Sequence, residues 1–481
     1  MIGRSFLAIA PAALAATFVL RGFVANAVPL DLLWRPLAVS VAIAIVIQVI
    51  LVRAFGWTRG HVWAFVAVSV LTGLFVLAGA ALLALTLFSV VRSGPDREYQ
   101  LTGILAAAVS GLLFVAVVSQ GVAAGAFDWQ PILVTATPMT LADDSPSLHV
   151  LLLDGYPRQD VLEANGVDNE PFLAVMEVMG FDVYRDSRSN YTRTPFSVLS
   201  ILSARHIDEM SELWADVPSG AAAQQRLVAR ALLAPPMLEW FRAAGYATRV
   251  LPATVAHVPL GGADEARGAG TANNFELDLL QRTPLAAPLE VIGFAAGQQR
   301  THIERTLDTW ADPPSGRTFT FAHVMSPHAP FVFRSDGSPA DAPPCYPATC
   351  SLFDSDVGDL GWPADEYVRR WTGQVEHLNT LVLAAVERLV AEDPGAVVLV
   401  VSDHGVRGPA EDVQHRNLIL ARVPGHRGVL GTSPTLVNVI VDAMAPWAEG
   451  TVPRASDMLY RSGDDPWLFV EPLPSSAADG P

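Results

Sequence analysis

Two patterns of apolar residues divide the chain. Over residues 5–27, 37–55, 62–91 and 101–127, apolar residues run almost unbroken. Each stretch can cross a hydrocarbon core, which takes about 20 apolar residues. Four in series argue against buried helices of a soluble domain. The 62–91 stretch is longer than one crossing requires, so tilt or extension past the interface is expected.

From residue 147 the pattern changes. His149–Leu153 and Val397–Val401 are short apolar runs that end in Asp154-Gly155 and Ser402-Asp403-His404-Gly405. Such runs predict parallel strands buried on both faces. Phe181–Tyr184, Tyr246–Leu251, Phe319–Val324 and Leu418–Arg422 are further strand candidates. Helical spacing covers 170–179, 195–204 (with Pro195 at the first position), 364–392 and 434–444. Strands alternating with helices predict an α/β domain with a mostly parallel central sheet covered on both faces. The expected organisation is a transmembrane region of about four helices at 1–127 and a linker at 128–146 holding Pro131, Pro138 and Pro146. A large soluble domain follows at 147–447, then an irregular tail at 448–481.

Composition sharpens this division. Hydrophobic residues make up 51% and charged residues 16%, against about 25% charged in an ordinary soluble domain. The net charge of −17 arises after residue 130, where 24 Arg meet 44 acids. An acidic soluble domain excludes nucleic acid as partner. An anionic substrate stays open, because a bound metal can dominate the local field.

Orientation follows from the arginines. With the N-terminus outside, Arg21, Arg35, Arg92 and Arg97 fall on the cytoplasmic side; the opposite choice puts Arg4, Arg53 and Arg59 there. The acids after the fourth stretch, Asp128, Asp143 and Asp144, mark an extracytoplasmic flank. Both termini are therefore expected outside. Ala25-Asn26-Ala27 is like a signal-peptidase site, but Arg21 just before it favours an uncleaved helix. Cys345 and Cys350 suit either a small disulfide loop in an oxidising compartment or two free thiols. No second Cys or His pair makes them a zinc site.

In parallel sheets, sites form beyond the carboxyl ends of strands. Asp154, Asp403 and His404 all fall there. Their carboxylates and imidazole suit Zn, Mn or Mg. Thr194, in Asn190-Tyr191-Thr192-Arg193-Thr194-Pro195-Phe196-Ser197, is at once a helix N-cap and a suitable nucleophile, since helix amides stabilise a bound phosphoryl group. Arg193 is either a substrate donor or a surface Arg. His328, in Ser326-Pro327-His328-Ala329-Pro330-Phe331, lies in a loop where it can protonate a leaving group or bind a second ion. His323 is balanced between a core and a site histidine. His415, 11 residues past His404, is a further candidate.

These blocks, in this order over about residues 147–445, resemble the alkaline phosphatase superfamily. The resemblance is to its sulfatase-like, membrane-anchored branch, which includes lipoteichoic acid synthases and phosphoethanolamine transferases. It implies an alkaline-phosphatase-like α/β sandwich facing outward. It also implies one divalent metal ion on Asp154, Thr194, Asp403 and His404, with Thr194 as nucleophile. His328 and His415 would lie near the substrate. Thr192 lacks the Pro-Phe-Ser continuation that follows Thr194. No Cys/Ser-x-Pro-x-Arg motif is present, so a classical sulfatase is not implied. Nor is there the extra Asp-x-x-x-His pair of two-metal members.

The expectation is a multi-pass membrane protein whose extracytoplasmic domain cleaves phosphate or sulfate esters of envelope lipids or glycans. Phosphoglycerol, phosphoethanolamine and sulfate esters stay open. The competing expectation is an inactive envelope scaffold.

Overall fold

The computed structural model describes residues 2–26, 28–72, 95–136, 138–214, 221–353, 358–406, 411–462 and 470–472. The chain forms two compact units. One comprises Met1–Trp129 with Phe275–Ile292, the other Gln130–Asn274 with Gly293–Pro481.

The first unit is helical. It contains α1 (Ile2–Asn26), a single turn at Leu30–Leu33, α2 (Trp34–Phe55), α3 (Trp57–Leu71) and α4 (Pro95–Ala123). Among the described residues, Ala8–Asn26 and Leu30–Phe55 are long and apolar enough to cross a membrane. Arg59–Leu71 and Ala108–Ala123 are shorter apolar segments. Most of the expected 62–91 span lies outside the described residues.

Specific contacts fix the helix directions. α1 and α2 form an antiparallel hairpin, in which Gln48 Nε2 donates to the Ala8 carbonyl at 2.8 Å. α3 turns back along α2 at Gly60, where an added Cβ would lie 2.3 Å from Val52 Cα. α4 runs in the same direction as α1. Phe23 near the end of α1 stacks on Phe127 just past α4, with ring centroids 5.7 Å apart. A Cβ on Gly121 would lie 2.8 Å from Val24 Cγ2. Ile2 and Trp129 therefore sit at opposite ends of this unit.

The arginine tally had grouped Arg97 with Arg21 and Arg35. Because α4 starts at the far end, Arg97 falls instead with Arg4, Arg53 and Arg59.

The second unit is α/β. Its seven-stranded sheet has the order β2-β7-β6-β1-β5-β3-β4. The strands are β1 (Leu148–Leu153), β2 (Asp182–Val183), β3 (Ala247–Leu251), β4 (Glu265–Ala266), β5 (Thr318–Val324), β6 (Val397–Ser402) and β7 (Ile419–Arg422). β7 alone in this sheet runs against the other strands. The expected strand at 181–184 shrinks to the two-residue edge strand β2, whose residues are half-buried.

Every residue of β1, β5 and β6 is buried, as strands covered on both faces must be. Side chains alternate between the faces. Leu148, Val150 and Leu152 enter one core, with Phe196, Phe241 and Phe319. Leu151 and Leu153 enter the other, with Phe172, Trp310 and Trp371. That second core rests on the long Ala364–Glu392 helix. Register then sets the site: Leu153 pairs with Val324 on one side and Ser402 on the other. The three central strands thus end flush, and the residues that follow them meet.

The region after 447 is less irregular than its composition implies. Tyr460–Ser462 pairs with Val470–Pro472, and Tyr460 is buried against Tyr191, centroids 5.1 Å apart.

Candidate metal centre

Asp154 follows β1, Asp403 and His404 follow β6, and His328 lies in the loop after β5. Backbone and hydroxyl groups lock these three ends together. Asp154 N donates to the Val324 carbonyl at 2.9 Å, and His328 N to the Asp154 carbonyl at 3.0 Å. Ser402 Oγ accepts from Tyr156 N at 2.8 Å and donates to the His404 carbonyl at 2.7 Å. Gly155 N donates to Asp403 Oδ1 at 2.8 Å.

Two glycines are required by geometry. Gly155 has φ +68°, in the region that favours glycine. At Gly405 a Cβ would lie 2.5 Å from the Val413 carbonyl oxygen and 2.6 Å from that of Arg416. The Asp-Gly and Ser-Asp-His-Gly sequences are thus written by backbone as well as by chemistry.

Asp154, Asp403 and His404 are all buried and offer ligand atoms within 4.8 Å of one another. Each carboxylate has one oxygen engaged: Asp154 Oδ2 lies 3.1 Å from His323 Nε2, and Asp403 Oδ1 accepts from Gly155. The other two, Asp154 Oδ1 and Asp403 Oδ2, have no hydrogen-bond partner among the described residues. His404 Nδ1 donates to the Gly405 carbonyl at 2.6 Å, so its Nε2 lone pair faces the carboxylates, 3.3 Å from Asp403 Oδ2. Two orphaned carboxylate oxygens and an imidazole lone pair in a dry site form a donor set that fits a divalent cation.

Burial alone would push the Asp154 carboxyl up. The His323 hydrogen bond, and then the imidazoles of His328, His323 and His404, outweigh it and hold Asp154 below the usual carboxylate range.

Thr194 opens the Thr194–Ile201 helix. Arg193, with φ −133° and ψ 127°, takes the N-cap position expected for Thr194. This one-residue difference frees the threonine side chain from capping. Its Oγ1 lies 3.4 Å from Asp154 Oδ2 and 3.5 Å from His404 Nε2. The Asn190-Tyr191 part of that block plays a structural part. Asn190 Nδ2 donates to the Met458 carbonyl at 2.8 Å, and its Oδ1 accepts from Val437 N at 2.8 Å.

His328 borders a cleft with His404, Gly405, Phe331, Tyr367 and Trp371, and its Nδ1 lies 2.8 Å from the Ala329 carbonyl. A larger surface groove beside Arg334, Arg369 and Glu376 contains none of these groups. His415 is fully buried. Its Nδ1 donates to the Ser189 carbonyl at 2.8 Å, and its Nε2 has no hydrogen-bond partner among the described residues. Burial lowers its pKa to about 4.

No protein-family model and no curated protein matches the sequence. Solved structures do. The periplasmic domain of EcEptC from Escherichia coli is 12% identical, with 64% of this chain and 84% of that one covered, at TM-score 0.41. The periplasmic domain of phosphoethanolamine transferase EptC from Campylobacter jejuni is 11% identical, with 66% and 95% covered, at 0.38. The lipoteichoic acid synthase LtaP from Listeria monocytogenes is 10% identical, with 64% and 73% covered, at 0.36. At such similarity the chemistry rests on this chain's own residues.

His323 is the residue that sequence left undecided. It is fully buried, as a core histidine would be, yet it sits on Asp154. Groups that hold a ligand by its second oxygen typically change metal affinity 10–100-fold. His323→Ala is expected to weaken Zn or Mn binding by roughly that factor, read by competition with a chelator. Asp403→Asn should weaken it more.

Behind His323, burial and then His323 itself lower the pKa of buried His302 to about 4 from 6.5. Between these values the unfolded chain binds the extra proton. The contribution of His302 to stability is therefore complete above pH 6.5 and declines as pH falls toward 4. Thermal unfolding of His302→Gln should show a shallower loss across that interval than the parent.

Proposed function

We propose that this chain is a membrane-anchored, metal-dependent hydrolase or transferase that cleaves phosphate or sulfate esters through Thr194. The observation that carries the proposal is the position of Thr194 Oγ1, beside both Asp154 and His404 at the start of a helix. In this reading Asp154, Thr194, Asp403 and His404 hold one divalent ion (Zn, Mn or Mg). When bound, such an ion lowers the pKa of a coordinated hydroxyl and offsets charge on the ester oxygens.

The reaction is a double displacement. Thr194 Oγ, as the alkoxide left once its proton passes to solvent, forms a bond to phosphorus or sulfur as the bond to the leaving oxygen breaks. His328, in the cleft, supplies the proton that the leaving oxygen takes. Water or an acceptor hydroxyl then attacks the threonine ester and releases Thr194. His328, deprotonated by the first step, takes the proton of that second nucleophile, while burial keeps His415 neutral with its Nδ1 proton held by the Ser189 carbonyl. The helix N-terminal amides after Thr194 favour the anionic group in both steps. The aromatic side of the cleft and the anchored chain suit an ester on an envelope lipid or glycan. The acidic soluble part does not suit nucleic acid.

Thr194→Ala should lower turnover of a cognate ester by roughly 10³-fold or more, the scale of losing a covalent nucleophile. Unchanged turnover in that variant would overturn the assignment.

The catalytic domain is assigned to about 147–447, after a linker at 128–146, and is placed outside the cytoplasm. The disulfide between Cys345 and Cys350 supports an oxidising compartment. The common direction of α1 and α4 supports an odd number of crossings. It leaves Arg4, Arg53, Arg59 and Arg97 at the cytoplasmic end, against Arg21 and Arg35 at the other. A fluorescent protein that matures only in the cytoplasm should glow when fused before Met1 and stay dark after Pro481.

A further inference from the structure

Residues Phe275–Ile292 leave the α/β unit and return to it, yet they belong to the helical unit. They form two helices, Asn274–Gln281 and Ala286–Val291. The first is fastened to the end of α1 nearest Trp129. A Cβ on Gly22 would lie 2.4 Å from Leu279 Cδ2 and 3.6 Å from Phe275 Cε2, so these side chains close directly on the glycine. Glu276 forms a two-pronged ion pair with Arg35 at the start of α2. Phe275, Leu277 and Leu279 are buried by this packing.

The second helix is apolar but for the half-buried Glu290, and half of its residues are exposed. Leu285 is 39% exposed, Val291 86% and Ile292 72%. Pro284, Ala287 and Pro288 are exposed beside them, and Arg282 is the only exposed charged residue between Phe275 and Ile292. Exposed apolar residues joined in one short segment mark an interaction surface more than scattered ones do.

The height of the segment within its unit identifies the partner. Arg35, which Glu276 grips, adjoins Trp34, 64% exposed at the start of a membrane-length apolar helix. An exposed tryptophan beside an arginine at a helix end is the composition of a membrane–water interface. Asn274–Gln281, and with it the segment that carries Leu285, Val291 and Ile292, is thus tied into the helical unit beside that helix end.

We infer that Phe275–Ile292 is an interfacial foot, whose Leu285, Val291 and Ile292 enter the lipid headgroup–acyl boundary on the side where α1 ends. This rests on the anchored reading above and extends it. The domain would touch the bilayer through an insertion of its own sequence as well as through the helices before it. A short apolar helix lying in the interface binds by buried apolar area, and proline at 284 and 288 keeps the segment from lengthening into a crossing helix.

The test uses the full chain in phosphatidylcholine nanodiscs. Cys345 and Cys350 are bonded to each other, so a single introduced cysteine is the only free thiol. Val291→Cys, Val46→Cys on exposed α2, and Val178→Cys on the α/β unit are each labelled with a small fluorophore. Quenching by a nitroxide lipid, with the nitroxide placed at a shallow and in parallel at a deep acyl position, and by aqueous iodide is then measured.

The inference expects the lipid quencher to remove roughly half or more of the signal at 291 and at 46, and little at 178. Iodide quenching at 291 as strong as at 178, with 46 still lipid-quenched, overturns the foot and leaves the anchor standing. A label at 291 shielded from both quenchers overturns it in favour of a protein cover such as a second copy. Absence of lipid quenching at 46 overturns the anchored reading itself.

Discussion

Two carboxylates buried side by side organise this molecule. Asp154 and Asp403 each present one oxygen that no described group satisfies, in a place from which water is largely excluded. Such charge is costly unless a cation or a set of donors answers it. The fold provides half of the answer. The flush ends of β1, β5 and β6 bring a histidine to Asp154, a backbone amide to Asp403 and a fixed imidazole face between them. The other half is the space those groups leave, and Thr194 faces it. Removing any one strand end would leave an unpaired charge in a packed interior, so the sheet register and the chemistry are inseparable.

Much of this is legible from residue order. Val150–Leu153 and Val397–Val401 have no polar position, which only a strand covered on both faces tolerates, and each ends in candidate ligands. From there the convergence of Asp154, Asp403 and His404 follows from the rule that parallel strands place their carboxyl ends together. What lay beyond reach depends on contacts distant in sequence. Nothing near His323 distinguishes a core histidine from one that braces Asp154, because the distinction depends on which residue occupies the neighbouring strand. Thr194 and Arg193 compete for one capping position, and the choice turns on a single backbone ψ angle. The pair Asp182–Val183 reads as a longer strand because its apolar flanks, Phe181 and Tyr184, are buried in loops.

The helical unit shows the same limit more sharply. Apolar length reveals helices that can cross a membrane, but it does not reveal their relative direction. An arginine tally of four against three was too even to decide it. The packing of Phe23 on Phe127 and of Val24 on Gly121 does decide it, through close approach of small and aromatic residues. Composition likewise hides the insertion at Phe275–Ile292, which by sequence falls inside the soluble domain expected at 147–447.

That insertion changes how the two units are joined. The chain passes between them three times, after Trp129, after Asn274 and after Ile292. A protease that cut once in the 130s would sever one connection and leave two. An enzyme attached by a single stalk can be shed from a cell by one cleavage and act at a distance. On the proposed reading this chain, once nicked, would stay where its apolar helices are, and its working range would remain that of the bilayer.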